Sequence, residues 1–242
     1  AYYLARLGHQ VEIFEMMPKL GGMPLYGIPE YRLSEEQYKW DIDGVLELGV
    51  KVHTGVTLGK DITIRSLKAV GFDAVYLAIG LWQGRLLPFE GKELKGIYSG
   101  IDYLRRFHTD EEVITGKKFV IIGAGNVAMD CARSALRAGA SHVLLIFRFS
   151  KDLMEANPHE ITDAENEGVE MRCLVSPVRF VGEDGQLTGI EIESVTLQPN
   201  SGGLPDCIPV EGSKEILPCD VVIQAVGQAA DFFVQSGEAG VR

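Results

Sequence analysis

The segment Lys117–Phe149 reads KKFVIIGAGNVAMDCARSALRAGASHVLLIFRF and predicts a strand, a glycine turn, a helix and a second strand. Phe119–Ile122 is a short, largely β-branched apolar run. A helical pattern then continues to Arg137, and His142–Phe147 is the next apolar run. This order is the context in which a GxGxxG/A match indicates a dinucleotide-binding turn.

The glycine turn has a specific physical role for each small residue. Gly123 permits the tight turn, Gly125 lets the backbone approach a pyrophosphate, and Ala128 lets the helix pack close to the strand. Phosphates are expected at the start of the helix, where N–H groups without intrahelical partners point outward. The alternative is a βα turn of an unrelated doubly wound protein. The candidate cofactor-binding residues here are Gly123, Ala124, Gly125, Asn126, Val127 and Ala128.

Composition excludes several classes of protein. The 242 residues, with 46% hydrophobic and 24% charged content, suffice for two domains of ordinary size. No apolar run approaches the roughly 18 residues of a membrane-spanning helix. The net charge of −11 argues against a nucleic-acid partner. Four cysteines without a CxxC pair argue against a disulfide framework or a metal site, and they favour a reducing cytoplasm.

The two halves of the chain repeat three landmarks in the same order. Leu4–Glu15 (LARLGHQVEIFE) parallels Ala135–Arg148 (ALRAGASHVLLIFR). Two further pairs follow: ELGVKVHTGV from residue 47 with NEGVEMRCLV from 166, and FDAVYLAIG from 72 with CDVVIQAVG from 219. The prediction is an α/β fold of two tandem Rossmann-like, doubly wound domains that bind FAD or NAD(P), with a β-meander in the second.

The residue that ends the second strand of such a domain touches the adenosine ribose. In the first half this residue is Glu15, whose carboxylate accepts hydrogen bonds from both ribose hydroxyls and repels a 2′-phosphate, which suits FAD or NAD. In the second half it is Arg148, a planar cation suited to the 2′-phosphate of NADP. A solvated glutamate and a surface-loop arginine are the alternatives.

Two strand-ending glycines, Gly80 and Gly227, are further cofactor-binding candidates, because ligands bind at the carboxyl ends of parallel strands. The five histidines have no metal-ligand spacing, and no set of Ser, His and Asp or of Cys and His indicates a nucleophile. No catalytic or metal-binding residue is therefore predicted. Hydride transfer between nicotinamide and flavin needs stacking and orientation rather than a protein acid or base.

These motifs resemble the glutamate synthase small-subunit family, which is similar in turn to the N-terminal FAD/NADPH region of dihydropyrimidine dehydrogenase. The resemblance covers nearly the whole chain. Four segments carry it: EMMPKLGGMPLYGIPEYRL from residue 15, DAVYLAIG, GAGNVAMDCARSALRAGA and CDVVIQAVGQ. It implies a flavoprotein that passes hydride from NADPH to FAD, and electrons through iron–sulfur clusters outside this chain to a larger subunit or acceptor domain.

The resemblance also implies roles for individual residues. Glu15 would hold the FAD ribose, and Arg148 the 2′-phosphate of NADPH. Four other residues would lie against FAD or near its adenine: Gly22, Met23, Arg32 and Leu58. Relatives commonly carry a second basic residue after Arg148, and Phe149 stands there instead. This departure implies a weaker grip on the 2′-phosphate, with NAD as the alternative cofactor and Lys151 as a candidate compensating cation.

The expected domains are residues 1–96 with 229–242, a partial FAD-binding domain, and 97–228, an NAD(P)-binding domain. The chain opens within a helix that stops at Gly8, so the phosphate loop of the first site is expected upstream of residue 1. We therefore expect a piece of a longer polypeptide, lacking both ends, that alone binds FAD poorly and is inactive.

The leading functional prediction is an NAD(P)H-dependent flavin oxidoreductase subunit of the cytoplasm. The alternative from another class is a non-catalytic nucleotide-binding or interaction module that has lost FAD. A single-cofactor dehydrogenase is a third interpretation, against which the doubled landmarks count.

Overall fold

The structure is a computed structural model and describes residues 1–109 and 117–230. It divides into two compact units, here called unit 1 (Ala1–Trp82 with Ala229 and Ala230) and unit 2 (Gln83–Gln228). Residues 83–96 thus group with unit 2, whereas the sequence placed the first boundary after residue 96. Of the predicted C-terminal part of the first domain, residues 231–242 lie outside the described residues.

Unit 1 is built on two parallel strands, β1 (Glu12–Glu15) and β2 (Lys51–Thr54), with Glu15 opposite Thr54. Its helices are α1 (Tyr2–Arg6), α2 (Met23–Tyr26), α3 (Glu35–Leu46) and α4 (Ile64–Ala69). The sequence predicts strands at residues 10–14 and 50–54 and a helix from 35 to about 48. All three are confirmed, within one or two residues at most ends.

Helix α4 was not predicted, although its start carries a local signal. The side-chain oxygen of Thr63 accepts the N–H of Ser66 at 3.0 Å, and the Ser66 hydroxyl oxygen accepts the N–H of Thr63 at 2.9 Å. This reciprocal pair is a capping box with serine in the place usually held by glutamate or glutamine.

The apolar segment 75–79, which Gly80 closes, is a further predicted strand, and this prediction is wrong. Its side chains still alternate between exposed and half-buried positions, and Tyr76 is 87% exposed. A strand requires a neighbour that completes its hydrogen bonds, and within residues 1–109 and 117–230 no strand pairs with this segment. The alternating pattern therefore produces extended chain without a ladder.

Unit 2 contains a five-stranded parallel sheet in the order β4-β12-β5-β6-β7. Its strands are β4 (Ile97–Ser99), β5 (Lys118–Ile122), β6 (His142–Phe147), β7 (Glu170–Cys173) and β12 (Val221–Gln224). The associated helices are α5 (Gly100–His108), α6 (Asn126–Arg137) and α7 (Pro158–Glu167), with a short 3₁₀ turn at Lys151–Leu153.

The predicted β-meander is confirmed between β7 and β12. The strand β9 (Gln186–Gln198) pairs antiparallel with β8 (Val175–Glu183), β10 (Asp206–Pro209) and β11 (Glu215–Pro218). Asp184 and Gly185 both have positive φ in the β8–β9 turn, as a two-residue type I′ hairpin requires. The remaining two-residue strands are β3 (Gln83–Gly84) and β13 (Gln228–Ala229).

Strand β5 lies at the centre of unit 2 and is apolar on both faces. Phe119 and Ile121 are fully buried in the cluster that includes Met129 of α6. Val120 and Ile122 belong to a second cluster with Ile190, Ile192 and Phe180 of the meander. A parallel strand covered on both faces reads as a continuous apolar run. The predicted α/β fold class is thereby confirmed.

Candidate functional site

The glycine turn lies where the strand order of unit 2 reverses. The chain runs from β5 to β6 and β7 on one side, then returns as β12 on the other side of β5. In open α/β sheets, ligands bind outside the carboxyl ends of the strands at such a switch point. At this edge the backbone N–H of Ala225, just after β12, donates to the carbonyl of Ile122, the last residue of β5, at 2.8 Å.

Gly123 is required by the packing of the chain itself. Its φ is +130°, and a Cβ added there would lie 2.4 Å from the carbonyl oxygen of Ala225. No side chain fits so close to a backbone oxygen, and L-residues rarely adopt this φ. The first glycine of the motif therefore lets the turn after β5 pass the end of β12.

Gly125 has no comparable reason to be glycine. It is the N-cap of α6 with φ −89° and ψ 177°, which any residue adopts. A Cβ added there would meet nothing within 4 Å. The space in front of the α6 start is therefore open. Within residues 1–109 and 117–230, the N–H groups of Asn126 and Val127 have no hydrogen-bond acceptor, and such groups bind anions.

Helix α7 begins beside the start of α6. The N–H of Ala156 donates to the carbonyl of Ala124 at 3.0 Å, and the N–H of Asn157 donates to Oδ1 of Asn126 at 2.9 Å. The side chain of Asn157 in turn caps α7 by accepting the N–H of His159. The positive ends of two helix dipoles therefore meet at the glycine turn, which favours an anionic ligand there.

The predicted site residues of this turn are thus assembled by three elements. Val127 is half-buried and Ala128 is fully buried against the sheet, as a small residue in the third glycine position requires. Asn126 is exposed, and its amide oxygen accepts the N–H of Asn157, the N-cap of α7. Gly227 follows β12, and its carbonyl accepts the N–H of Arg85 at 2.9 Å.

Arg148 follows β6 at the same edge of the sheet. It is exposed, and its guanidinium carbon lies 4.8 Å from the centroid of the Phe149 ring. Among the residues that the structure describes, no carboxylate lies within ion-pairing distance of it. Lys151, the predicted compensating cation, is already paired with Glu165 of α7.

The side chains that connect α6 and α7 behind the turn form an ion-pair network. Arg133 is 7% exposed at its side chain and contacts Glu160 at 2.6 Å, Glu167 at 2.8 Å and Asp163 at 3.3 Å. Burial alone would raise the pKa of Glu167. Hydrogen bonds from Arg137 and Arg133 outweigh burial, so that pKa lies below its ordinary value.

The cysteine nearest the turn is buried in α6. Cys131 is fully buried and its thiol donates to the carbonyl of Gly100 at 3.6 Å. Burial, then the charge of Asp130, raises the pKa of this thiol well above its ordinary value. Burial likewise raises the pKa of Cys219 to about 12. Both groups are therefore neutral thiols at neutral pH.

In unit 1, Glu15 ends β1 at the carboxyl edge of the parallel pair. Its Oε1 accepts the N–H of Met17 at 2.8 Å, and its carbonyl accepts the N–H of Val56 at 2.9 Å. The second bond joins the end of β1 to the segment that contains Leu58, which forms a single bridge with Ile62.

The other predicted residues of unit 1 are spread over separate local structures. Gly22 is the N-cap of α2 and Met23 is its first residue. Arg32 lies half-buried in a turn, where its N–H donates to the carbonyl of Pro29 at 2.9 Å. Gly80 lies exposed in the unpaired segment that follows Val75.

Comparison with known proteins places these features in a family. The model for pyridine nucleotide-disulphide oxidoreductases matches residues 1–241. The chain belongs to this family. The predicted oxidoreductase class and the predicted cofactor pair of FAD and NAD(P) are those of the family and are confirmed at that level.

Relatives confirm the resemblance found in the sequence. The chain is 40% identical over 245 residues to the NADP(+)-dependent formate dehydrogenase subunit beta of Moorella thermoacetica, covering 100% of the chain and 34% of that protein. It is 32% identical over 237 residues to the glutamate synthase [NADPH] small chain of Halomonas elongata, covering 93% and 49%. The chain therefore spans about a third of the first of these relatives and about half of the second.

Solved structures confirm the fold. FprA of Mycobacterium tuberculosis in complex with NADPH matches with a TM-score of 0.79 at 18% identity, covering 90% of this chain and 64% of that one. Within residues 1–109 and 117–230, no helix is long and apolar enough to cross a membrane. The same residues hold no group of three or more His, Cys, Asp or Glu side chains placed to bind a metal.

Sequence reasoning missed two features of the site. The contact of Asn157 with Asn126 was not predicted, although Asn-Pro at 157–158 is a helix-start signature. The position of the Phe149 ring beneath Arg148 was also missed, because Phe149 was interpreted only as the loss of a second cation. The cofactor contacts proposed for individual residues of this chain stay predictions.

Proposed function

We propose that the chain is part of an NAD(P)H-dependent flavin oxidoreductase subunit, similar to the glutamate synthase small subunit, in which unit 2 binds NADPH and unit 1 contributes to the FAD site. NADPH would supply a hydride that FAD accepts, and the electrons would leave to a partner subunit or domain. One observation carries the proposal: Gly125 opens the start of α6 to a ligand although the chain's own packing does not require glycine there.

In this proposal the NADPH pyrophosphate lies against Gly123–Ala128. The open space at Gly125 admits its oxygens, and the N–H groups of Asn126 and Val127 would donate to them. The converging starts of α6 and α7 supply partial positive charge at the same place. Arg148, which no described carboxylate neutralises, is the cation for the 2′-phosphate. Gly227 borders the same edge.

For unit 1 we propose that Glu15 binds the ribose of FAD. Its Oε1 is held by the N–H of Met17, so the carboxylate is oriented while its second oxygen keeps lone pairs for hydroxyl donors. Gly80, at the end of the extended segment, borders the ligand. The family resemblance supports the remaining proposed FAD contacts, which are Gly22, Met23, Arg32 and Leu58.

A partner is proposed from the names of the relatives. Two of them are called subunit beta and small chain, and the chain spans only part of each. We therefore propose a larger subunit or fused domain as the electron acceptor, with any iron–sulfur clusters outside this chain. The four cysteines are free thiols, which supports a reducing compartment such as the cytoplasm.

Titration with NADPH and with FAD tests the proposal. We expect Gly125→Val to abolish measurable NADPH binding and to lower the free energy of unfolding by only about 1 kcal/mol. Valine adopts the observed φ and its Cβ meets nothing, but glycine is preferred to valine at a helix N-cap. Gly202→Val is the matched control, since an added Cβ there makes only a 3.4 Å contact with Asn200. NADPH affinity unchanged in Gly125→Val would refute the proposed pyrophosphate site. Longer protein from the same gene that binds NADPH but no FAD would favour the non-catalytic module.

A further inference from the structure

We propose that Phe149 is a positioning residue: its ring holds the Arg148 guanidinium in the direction of the adenosine 2′-phosphate and so sets the preference for NADPH over NADH. The inference rests on the proposed nucleotide site in unit 2. It reverses the interpretation of Phe149 as a simple loss of cationic charge.

The contact between the two side chains is a cation–π pair. The guanidinium carbon of Arg148 lies 4.8 Å from the ring centroid, well within the roughly 6 Å at which such pairs attract. A guanidinium that stacks flat on a ring face uses its own π-face for the contact. In that arrangement the N–H donors lie in the guanidinium plane and stay available to a planar or tetrahedral anion.

The ring itself is held in place. Phe149 is only 6% exposed, and its ring meets that of Phe147 edge to face at 5.5 Å with an interplanar angle of 70°. Its carbonyl accepts the N–H of Leu174 at 3.1 Å. The backbone of Arg148 is also anchored, because its carbonyl accepts the thiol of Cys207 at 3.5 Å. A fixed ring restricts the long arginine side chain to few rotamers, which lowers the entropy lost on binding.

A carboxylate in the place of the ring would hold the arginine equally well but would neutralise it. The ring orients the cation and leaves its charge for the ligand. The nearby alternative cation, Lys151, is drawn towards Glu165 of α7. The preference of this loop for a nucleotide with a 2′-phosphate over one without it therefore depends on the orientation of the Arg148 guanidinium.

The test compares two ligands that differ only in the 2′-phosphate, adenosine 2′,5′-bisphosphate and 5′-AMP, by calorimetric titration. We expect Phe149→Leu to lower the ratio of their affinities about 2- to 5-fold, the fold-change equivalent to a cation–π contact at an exposed site. Phe149→Tyr keeps the aromatic face and is expected to keep the ratio. Phe147→Leu removes a neighbouring ring that does not lie under Arg148, and it is expected to leave the ratio unchanged.

The outcomes separate this inference from the proposed function. If Arg148→Ala abolishes the preference while Phe149→Leu leaves it intact, the positioning role is refuted and the nucleotide site stands. If neither ligand binds the unaltered protein, the proposed function itself fails. An equal loss in Phe147→Leu and Phe149→Leu would assign the effect to general packing of the loop and would overturn the inference. Should Phe149→Leu fail to fold, Phe149→Met, which also lacks a ring, replaces it.

Discussion

The N–H of Asn157 donates a hydrogen bond of 2.9 Å to Oδ1 of Asn126, so the first residue of α6 fixes the N-cap of α7. The side chain that stands at the proposed pyrophosphate site is thereby also a structural acceptor. Its two roles depend on different properties, hydrogen-bond acceptance and the absence of negative charge. Substitutions can separate them.

Asn126→Asp is expected to keep the hydrogen bond and to weaken NADPH binding at least tenfold. A carboxylate still accepts the N–H of Asn157, and negative charge at a helix start stabilises by about 0.3–1 kcal/mol. The same charge repels the pyrophosphate. Asn126→Ala is the control: loss of the acceptor should lower the free energy of unfolding by about 1 kcal/mol. Unchanged NADPH affinity in Asn126→Asp would remove Asn126 from the site.

The two motif glycines should differ in how much stability is lost on substitution by alanine. Gly123→Ala is expected to destabilise unit 2 by more than about 2 kcal/mol, because its Cβ would press on the carbonyl of Ala225 at positive φ. Gly125→Ala should lower the free energy of unfolding by only about 0.5–1 kcal/mol, because its Cβ meets nothing and only the N-cap preference for glycine is lost. Urea unfolding of both variants measures the difference, and similar losses in the two would contradict the packing described for this turn.

Stability should fall on the acid side partly through Glu167. Its pKa is lower in the folded protein than in the unfolded chain, so its contribution is fully present above the unfolded pKa of about 4.5. That contribution is lost as the pH falls through the lower, folded pKa. Glu167→Gln is therefore expected to flatten the decline of unfolding free energy below about pH 4.5. Glu155→Gln, at an exposed position, is the charge-matched control and should leave the slope unchanged.

Two cysteines should resist alkylation in the folded protein. Burial raises the pKa of Cys219 to about 12 and that of Cys131 well above its ordinary value, so neither forms thiolate near neutral pH. We expect iodoacetamide at pH 8 to label Cys131 and Cys219 only after denaturation. Mass spectrometry of peptides from native and unfolded samples measures this. Labelling of Cys131 in the native protein at the rate of an exposed thiol would mean that α6 opens from the sheet.

Local pattern was enough to predict most of unit 2. The apolar run at β5, the small residues of α6 and the turn at Asp184-Gly185 each satisfy requirements of backbone geometry and burial that the chain carries locally. The repeat between the halves also placed Glu15 and Arg148 at strand ends, where the structure has them.

The same repeat led to the wrong prediction for Val75–Ile79. FDAVYLAIG and CDVVIQAVG are alike in sequence, yet only the second forms a strand, β12, because β4 and β5 lie on either side of it. Strand formation depends on a neighbour far away in the chain, which a local pattern does not contain. The boundary between the two units at residue 82 also depends on contacts that are distant in sequence. Residues 83–96 belong to unit 2 because they contact segments much later in the chain, as when the N–H of Arg85 donates to the carbonyl of Gly227.

The sequence by itself determined that the chain has glycine turns at strand ends, a small-residue helix and a cation after β6, because these depend on residue type and spacing. Only the tertiary structure decided why each is there. A Cβ at Gly123 would clash with the carbonyl oxygen of Ala225, whereas a Cβ at Gly125 would meet no atom of the described chain within 4 Å. The structure also places the ring of Phe149 beneath the guanidinium of Arg148. The first relationship joins residues about 100 positions apart, and the second depends on the rotamers of two neighbouring side chains. Residue type and spacing determine neither, so both are fixed only when the chain folds.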